Sequence, residues 1–208
     1  MKLKFIIAIF LLYASELNAQ TTKVFPHSAV LVRVPENSYG SGVISEIKNK
    51  KYILTAYHVT KGASKVTIIS TATGLRGIGV EVDDFYSIYD IAVYLLPKNM
   101  SHLPSVKMTE RHISTDESVA VFSFPHQTPT VSVGKFLRYK YTNISKVPYE
   151  IIFTAPVDSG SSGGMIVDSR GKLLGLAVGY RTDKYSTKSI GVTSAVLMSI
   201  LKETYSFN

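Results

Sequence analysis

A loop rich in glycine and serine, Gly160–Met165, offers the clearest chemistry in the sequence. Ser162 lies inside this loop, and the glycines on both sides of it allow the backbone to turn sharply and to approach another group closely. Such a turn can direct consecutive backbone N–H groups into one small concavity beside the serine hydroxyl. A nucleophile next to an oxyanion-binding concavity is the arrangement that acyl transfer requires. A loop of this composition is also typical of a plain hairpin, so the assignment depends on residues elsewhere in the chain.

Two other polar residues lie at the ends of apolar segments. His58 follows Tyr52–Tyr57, and Asp90 directly precedes Ile91–Val93. A serine hydroxyl is a weak nucleophile at neutral pH and requires a base, for which imidazole is suited. The imidazole in turn requires a carboxylate that holds its tautomer. The chain order His58, Asp90, Ser162 is one of the known orders of this triad, so the three residues together predict nucleophilic catalysis by serine.

Other residues of the same types have less support from their surroundings. Asp83 and Asp84 are the alternative carboxylates, but no apolar strand follows them directly and they are typical of a turn. The histidines without a matching context, which we expect at the surface or in the core, are His27, His102, His112 and His126.

The candidate residues are spread over a chain of short apolar, β-branched segments, about six in each half. This pattern predicts an all-β sandwich or barrels. The apolar spacing of Ser194–Lys202 predicts a C-terminal helix, and residues 97–116 are expected to connect two lobes. The expected strands are Ser28–Val34, Ser41–Ile47, Lys51–Thr55, Lys65–Ile69, Gly77–Val82, Ile91–Leu96, Ser118–Phe124, Val131–Arg138, Tyr149–Pro156, Met165–Asp168, Lys172–Gly179 and Ser186–Val192.

The composition limits the possible function classes. The 208 residues suffice for one domain or two small lobes, and 45% of them are hydrophobic, enough for a real core. The absence of cysteine excludes disulfides, thiolate metal sites and a cysteine nucleophile. No metal-ligand spacing or phosphate loop is present, so we expect no metal and no cofactor. The net charge of +8 comes from scattered residues, which favours a solvated surface over a nucleic-acid partner.

Residues 1–19 have the pattern of a signal peptide. Lys2 and Lys4 precede the apolar run Phe5–Ala14, and a small residue then precedes Gln20, the expected mature start. About ten apolar residues are too few to span a bilayer. We therefore expect cleavage, export to the periplasm or the medium, and no stable membrane anchor afterwards.

Several motifs, taken in order, carry a family resemblance. They are Gly40–Ile44, Leu54–Val59, Asp90–Val93, Phe124–Pro125, Val131–Gly134, Gly160–Gly164, Gly171–Leu176 and Ile190–Val192. The sequence resembles the trypsin-like (chymotrypsin-fold) serine peptidases and, among them, the HtrA-type protease domain. The likeness covers nearly the whole mature chain, and its serine and histidine motifs are specific as a pair.

The resemblance implies a protease domain over residues 20–208, with two six-stranded antiparallel β-barrels at about 22–100 and 116–192 and a helix at about 193–203. An active site would lie between the barrels. His58 would act as base and then acid, Asp90 would orient it, and the backbone N–H groups of Gly160 and Ser162 would form the oxyanion hole. The implied activity is hydrolysis of peptide bonds in proteins or peptides. We expect no peptide-binding PDZ module after this domain.

The sequence departs from the family pattern around the nucleophile. Ser161 stands where the family has Asp or Asn, Ser159 where HtrA-type enzymes often have Pro, and Met165 where Pro is usual. Without an acid at position 161, an ion pair to a freed N-terminus cannot form, so we expect activity without that activation step. The alternative hypothesis is a catalytically silent binding or scaffold protein that keeps the protease fold.

The resemblance also implies a pocket for the substrate residue before the cleaved bond. No acidic residue is placed to receive Lys or Arg at the base of this pocket unless Asp158 turns inward, so the expected preference is for a small or medium apolar side chain. The expected wall lies within Pro156–Ser159, Val178–Tyr180 and Gly191–Thr193, and its candidate residues are Val157, Asp158, Val178, Gly179, Tyr180, Gly191 and Thr193.

Overall fold

The computed structural model describes residues 27–35, 38–83, 87–141, 147–184 and 186–205. The predicted signal segment and Asp84 lie outside the described residues. Six strands in the first half close into an antiparallel barrel in the spatial order β1-β2-β3-β6-β5-β4. These strands are β1 Ala29–Arg33, β2 Tyr39–Ile47, β3 Lys50–Thr55, β4 Lys65–Ile69, β5 Arg76–Asp83 and β6 Ala92–Leu95.

Six further strands form a second closed barrel, in the order β10-β11-β12-β9-β8-β7. The prediction of two six-stranded antiparallel barrels is therefore confirmed. A helix follows the last strand, and none of the helices in the described residues is both long and apolar enough to cross a membrane. The elements are β7 Ser118–Ser123, β8 Thr130–Tyr141, β9 Pro148–Phe153, β10 Met165–Asp168, β11 Leu173–Thr182, β12 Thr187–Thr193 and the helix α2 Ser194–Tyr205; a four-residue helix α1, Tyr57–Thr60, follows β3.

Strand β1 of the first barrel is apolar on both faces because each face is buried against a different partner. In β1, Val30 and Val32 belong to the interior cluster of the first barrel, whereas Ala29 and Leu31 belong to a cluster shared with the second barrel and α2. Side chains alternate between the two faces of a strand. The run of consecutive apolar residues in β1 is thus the sequence signature of a strand that lies between two cores.

The shared cluster joins the two barrels and buries one side of α2. Val196, Leu197, Ile200 and Leu201 of the helix are all buried in it, at the three- and four-residue spacing that keeps them on one face. Each fully buried aliphatic side chain contributes about 1.5–3 kcal/mol. The cluster therefore holds the two barrels in a fixed relative position, and residues at a site between them are held in position as well.

Candidate active site

The His58 imidazole lies between the Asp90 carboxylate and the Ser162 hydroxyl. Its Nδ1 is 2.7 Å from Asp90 Oδ2, and its Nε2 is 2.8 Å from Ser162 Oγ. The histidine side chain is 48% exposed and the aspartate 33%, so the first two members of the chain border solvent. The structure thus brings the three predicted residues, from both barrels, into one hydrogen-bonded chain.

Asp90 holds the short helix that carries His58 through three separate contacts. Its backbone carbonyl accepts the Tyr57 N–H at 3.1 Å, and its Oδ1 accepts the His58 N–H at 2.9 Å. Its Oδ2 is the atom that faces the imidazole. The residue has φ of +58°, a left-handed conformation that Asp adopts more readily than most residues. Position 90 therefore sets both the ring orientation and the place of α1.

The loop that carries Ser162 is folded by its own backbone and by glycine. The Ser161 N–H donates to the Asp158 carbonyl at 2.8 Å, which closes a tight turn before the serine. Gly160 and Gly163 have φ of +91° and +83°, values that L side chains rarely adopt. Within the described residues, the N–H groups of Gly160 and Ser162 donate no hydrogen bond to a protein acceptor. Two amide donors thus remain available beside the serine hydroxyl.

Position 161 is a buried serine whose contacts stay inside the loop and its neighbour β7. Its side chain is almost completely buried. Its Oγ accepts the Asp158 N–H at 3.1 Å and lies 3.3 Å from Ser123 Oγ. A carboxylate at this buried position would require a cationic partner. The hydroxyl instead closes the turn without a charge, so the departure from the family pattern is accommodated locally.

Residues 40–176 match the family model described as the trypsin-like peptidase domain. The chain belongs to this family. The matched segment contains all three members of the hydrogen-bonded chain, so the resemblance predicted from the motifs is confirmed.

One relative of this trypsin-like peptidase domain is named as a bacterial protease. The chain is 27% identical over 192 residues to a Buchnera aphidicola protein named "Probable periplasmic serine endoprotease DegP-like", with 89% of this chain and 40% of that protein covered. The chain thus spans less than half of that relative's length.

Solved structures share the fold of this trypsin-like peptidase domain. A serine endoprotease from Yersinia pestis has a TM-score of 0.72 at 21% identity, covering 88% of this chain and 65% of that chain. The HtrA-type protease AlgW, solved with a tripeptide, has a TM-score of 0.74 at 22% identity, covering 89% of this chain and 64% of that chain.

A cavity of about 110 Å³ opens beside Ser162 in the trypsin-like peptidase domain. Four of the seven predicted wall residues line it, namely Val157, Asp158, Gly179 and Tyr180. Gly191 and Thr193 are buried and do not line it: Gly191 pairs with the lining residue Ala177, and the Thr193 hydroxyl donates to the Pro148 carbonyl. Val178 does not line it either, but its carbonyl is 3.4 Å from Ser162 Oγ. Ser159, from the expected range Pro156–Ser159, also lines the cavity, as do Ser161 and Ala177, which lie outside the expected ranges.

The Asp158 carboxylate lies at the rim of this cavity and pairs with a histidine. Its Oδ2 is 3.1 Å from His126 Nε2, its Oδ1 accepts the Ser159 N–H at 2.7 Å, and the side chain is 65% exposed. The Ser159 N–H, followed by the His126 ring, lowers the pKa of the carboxyl. The carboxylate is directed towards His126, so it does not form the base of the pocket.

Proposed function

We propose that the protein is an exported serine endopeptidase that hydrolyses peptide bonds through an acyl-enzyme intermediate. One observation carries the proposal: Ser162 Oγ is 2.8 Å from His58 Nε2 while Asp90 faces the other ring nitrogen at 2.7 Å. The backbone N–H groups of Gly160 and Ser162, which have no protein acceptor in the described part of the chain, lie beside the same hydroxyl. Together these groups supply a nucleophile, a base, an orienting carboxylate and an anion-binding concavity.

In the proposed acylation step, Ser162 Oγ attacks the carbonyl carbon of the substrate peptide while His58 Nε2 takes the hydroxyl proton. Asp90 accepts the hydrogen bond from Nδ1–H and stabilises the imidazolium. The carbonyl oxygen becomes an oxyanion, which the N–H groups of Gly160 and Ser162 receive. His58 then gives its proton to the leaving amine as the C–N bond breaks, and the acyl group stays on Ser162.

Deacylation repeats the sequence with water as the nucleophile. His58 removes a proton from the water, the hydroxide adds to the ester carbonyl, and the second oxyanion occupies the same two amides. Collapse returns the proton to Ser162 Oγ and releases the carboxylic acid. Loss of one oxyanion donor costs about a hundredfold or more in rate, so the two free amides are central to the proposal.

The cavity beside Ser162 favours a small aliphatic residue before the cleaved bond. Its volume of about 110 Å³ is less than the ~150 Å³ of an engineered apolar cavity that accepts benzene. Val157 and Ala177 provide apolar wall, and Tyr180 is 56% exposed at the opening. Substrates with Ala or Val at this position are therefore expected to be cleaved faster than those with Phe or Tyr.

Export is proposed from the pattern of residues 1–19, a basic start followed by a short apolar run. The word "periplasmic" in the name of the Buchnera aphidicola relative agrees with this proposal. Expression of the full chain with N-terminal sequencing of the mature form tests it, since cleavage before Gln20 is expected and an uncleaved cytoplasmic product would contradict it.

The chemistry is tested by labelling with a fluorophosphonate probe, which reports an activated serine without knowledge of the substrate. We expect labelling of the processed protein, peptide mapping of the label to Ser162, and loss of the signal in Ser162→Ala. His58→Ala is expected to slow labelling by about a thousandfold or more. Ser199→Ala is the matched control, because it removes an exposed serine hydroxyl from α2 and leaves the serine loop unchanged.

The opposite outcome would be a folded, processed protein that no probe labels between pH 6 and 9. That result would refute the peptidase proposal and favour the alternative hypothesis of a protease-fold binding protein. Circular dichroism on the same samples separates it from simple misfolding.

A further inference from the structure

Ser41, in strand β2 of the first barrel, is fully buried and contacts the serine loop of the second barrel. Its Oγ donates a hydrogen bond to the Gly160 carbonyl at 2.7 Å and accepts one from the Phe124 N–H at 2.8 Å. Both partners belong to the second barrel, and Gly160 is 119 residues away in the chain. The hydroxyl is therefore a single link between one barrel and two loops of the other.

The backbone of Ser41 is held just as closely. Its N–H donates to the Ser162 carbonyl at 2.7 Å, and its carbonyl accepts the Thr55 hydroxyl at 2.6 Å. A Cβ on Gly163 would lie 2.0 Å from the Ser41 oxygen, so the two barrels are in backbone contact here. This contact leaves Ser41 little room to move, and its hydroxyl has a fixed position relative to the loop.

The N–H of Gly160 is one of the two proposed oxyanion donors, and its direction is set by the peptide unit to which it belongs. In a planar trans peptide, the carbonyl and the N–H point in opposite directions. The carbonyl of that unit, on Ser159, accepts the His126 N–H at 3.1 Å. Because the carbonyl is directed towards the turn Pro125–Gln127, the Gly160 N–H is directed away from it.

Ser41 is hydrogen-bonded to two segments that adjoin the Ser159–Gly160 peptide unit. It binds Phe124, the residue that begins the turn bearing the His126 N–H. It also binds the carbonyl of the next peptide unit, Gly160–Ser161, whose N–H closes the loop on Asp158. Rotation of the Ser159–Gly160 peptide would require the following peptide unit or the turn at Phe124 to move, and the Ser41 hydroxyl is hydrogen-bonded to both.

We infer that Ser41 is a positioning residue that holds the Gly160 amide in the orientation needed to bind an oxyanion. This inference rests on the proposed peptidase function. Ser41 does not touch the reacting atoms in this account; it acts through Gly160 and Phe124. A residue of the first barrel thus holds an oxyanion-binding amide of the second barrel in place.

The test compares Ser41→Ala with a matched control, Ser45→Ala. Ser45 lies on the same strand, is also fully buried, and donates one hydrogen bond, to the Val106 carbonyl at 2.9 Å. Both variants lose a buried hydroxyl from β2, but only Ser41→Ala affects the serine loop. We expect Ser41→Ala to lower kcat about tenfold with KM within about twofold, the effect of one lost hydrogen bond expressed in the transition state. Ser45→Ala should keep kcat within about twofold.

A second readout separates positioning from a merely structural role. A peptidyl trifluoromethyl ketone forms a tetrahedral adduct whose oxyanion uses the Gly160 amide, whereas a product peptide of the same sequence does not. Ser41→Ala should lower the binding affinity for the ketone about tenfold and leave the affinity for the product peptide unchanged. Should Ser41→Ala fail to fold, Ser41→Cys keeps the volume with a weaker donor, and a loss of about threefold or more in kcat is then expected.

The outcomes distinguish this inference from the function on which it rests. Wild-type protein that is labelled at Ser162, together with equal kcat and equal ketone affinity in Ser41→Ala, would overturn the positioning role and leave the peptidase proposal intact. Parallel losses in Ser41→Ala and Ser45→Ala would also overturn it. Absence of labelling in the wild-type protein would contradict both the positioning role and the peptidase proposal.

Discussion

Replacement of Gly163 by alanine tests how closely the two barrels approach each other. A Cβ there would lie 2.0 Å from the Ser41 carbonyl oxygen and 2.4 Å from Thr55 Oγ1, with φ at +83°. Gly74 offers a matched control, because its φ is +77° and no atom lies within 4 Å of an added Cβ. Both substitutions impose the same backbone strain, but only Gly163→Ala adds a clash with the first barrel.

The expected loss of stability follows from these contacts. A left-handed alanine costs about 1–2 kcal/mol, which is the whole effect expected for Gly74→Ala. Overpacking of a close-packed contact adds about 1–3 kcal/mol. The upper part of that range applies to Gly163, because the nearest atom is a backbone oxygen of a buried strand that cannot rotate away. Gly163→Ala should therefore destabilise the protein by about 2–3 kcal/mol more than Gly74→Ala.

The assay is urea unfolding followed by circular dichroism, with both variants built on Ser162→Ala to prevent self-digestion. With a slope of about 2 kcal/mol per molar urea, the two midpoints should differ by about 1–1.5 M. Equal midpoints for Gly163→Ala and Gly74→Ala would refute the inferred close approach of the barrels. A difference in slope instead of midpoint would mean that the barrels had ceased to unfold together.

Three further outcomes are expected. Asp90→Asn keeps an acceptor for the His58 N–H but cannot accept the ring Nδ1–H, so kcat should fall about 10⁴-fold, and a loss below tenfold would contradict the proposed role. A hydrogen bond from the Ser114 N–H, together with the Arg111 guanidinium, lowers the pKa of Glu117 below its ordinary 4.5. Glu117→Gln should lower the free energy of unfolding by about 1 kcal/mol at pH 7. That difference should disappear as the pH falls through the lowered pKa, and a difference constant from pH 7 to 2 would exclude this account. Asp158→Asn should reduce cleavage after Lys or Arg relative to Val about twofold to fivefold in a peptide library, whereas an unchanged ratio would show that the rim charge does not reach the substrate.

The strands were predictable because their apolar, β-branched composition is a local property. All twelve expected segments correspond to strands, and Lys65–Ile69 and Met165–Asp168 have the same bounds in the structure. The largest differences are at β9, which ends at Phe153 and not at Pro156, and at β8 and β11, which extend to Tyr141 and Thr182. Those extensions are polar and largely exposed, so their pairing with a neighbouring strand left no hydrophobic signal in the sequence.

The chain of hydrogen bonds around His58 was predictable because three residue types with complementary chemistry occur in a known order beside specific motifs. The positive φ of Asp90 and the hydrogen bonds of Ser41 were not. A buried serine in a strand has no distinctive pattern, and its partner Gly160 is 119 residues away. The pairing of His126 with Asp158 depends in the same way on a turn that brings distant residues together.

The closure of both barrels bears on how the protein would survive the proteolytic chemistry proposed for it. A protease must draw a stretch of substrate backbone out of its own hydrogen bonds before it can cut. Within the described residues, each strand of either barrel is paired on both sides, and an unpaired edge is where an extended segment could be peeled away. Under the proposed function, self-digestion is therefore expected first at the connecting turns, such as the one at Lys48 and Asn49.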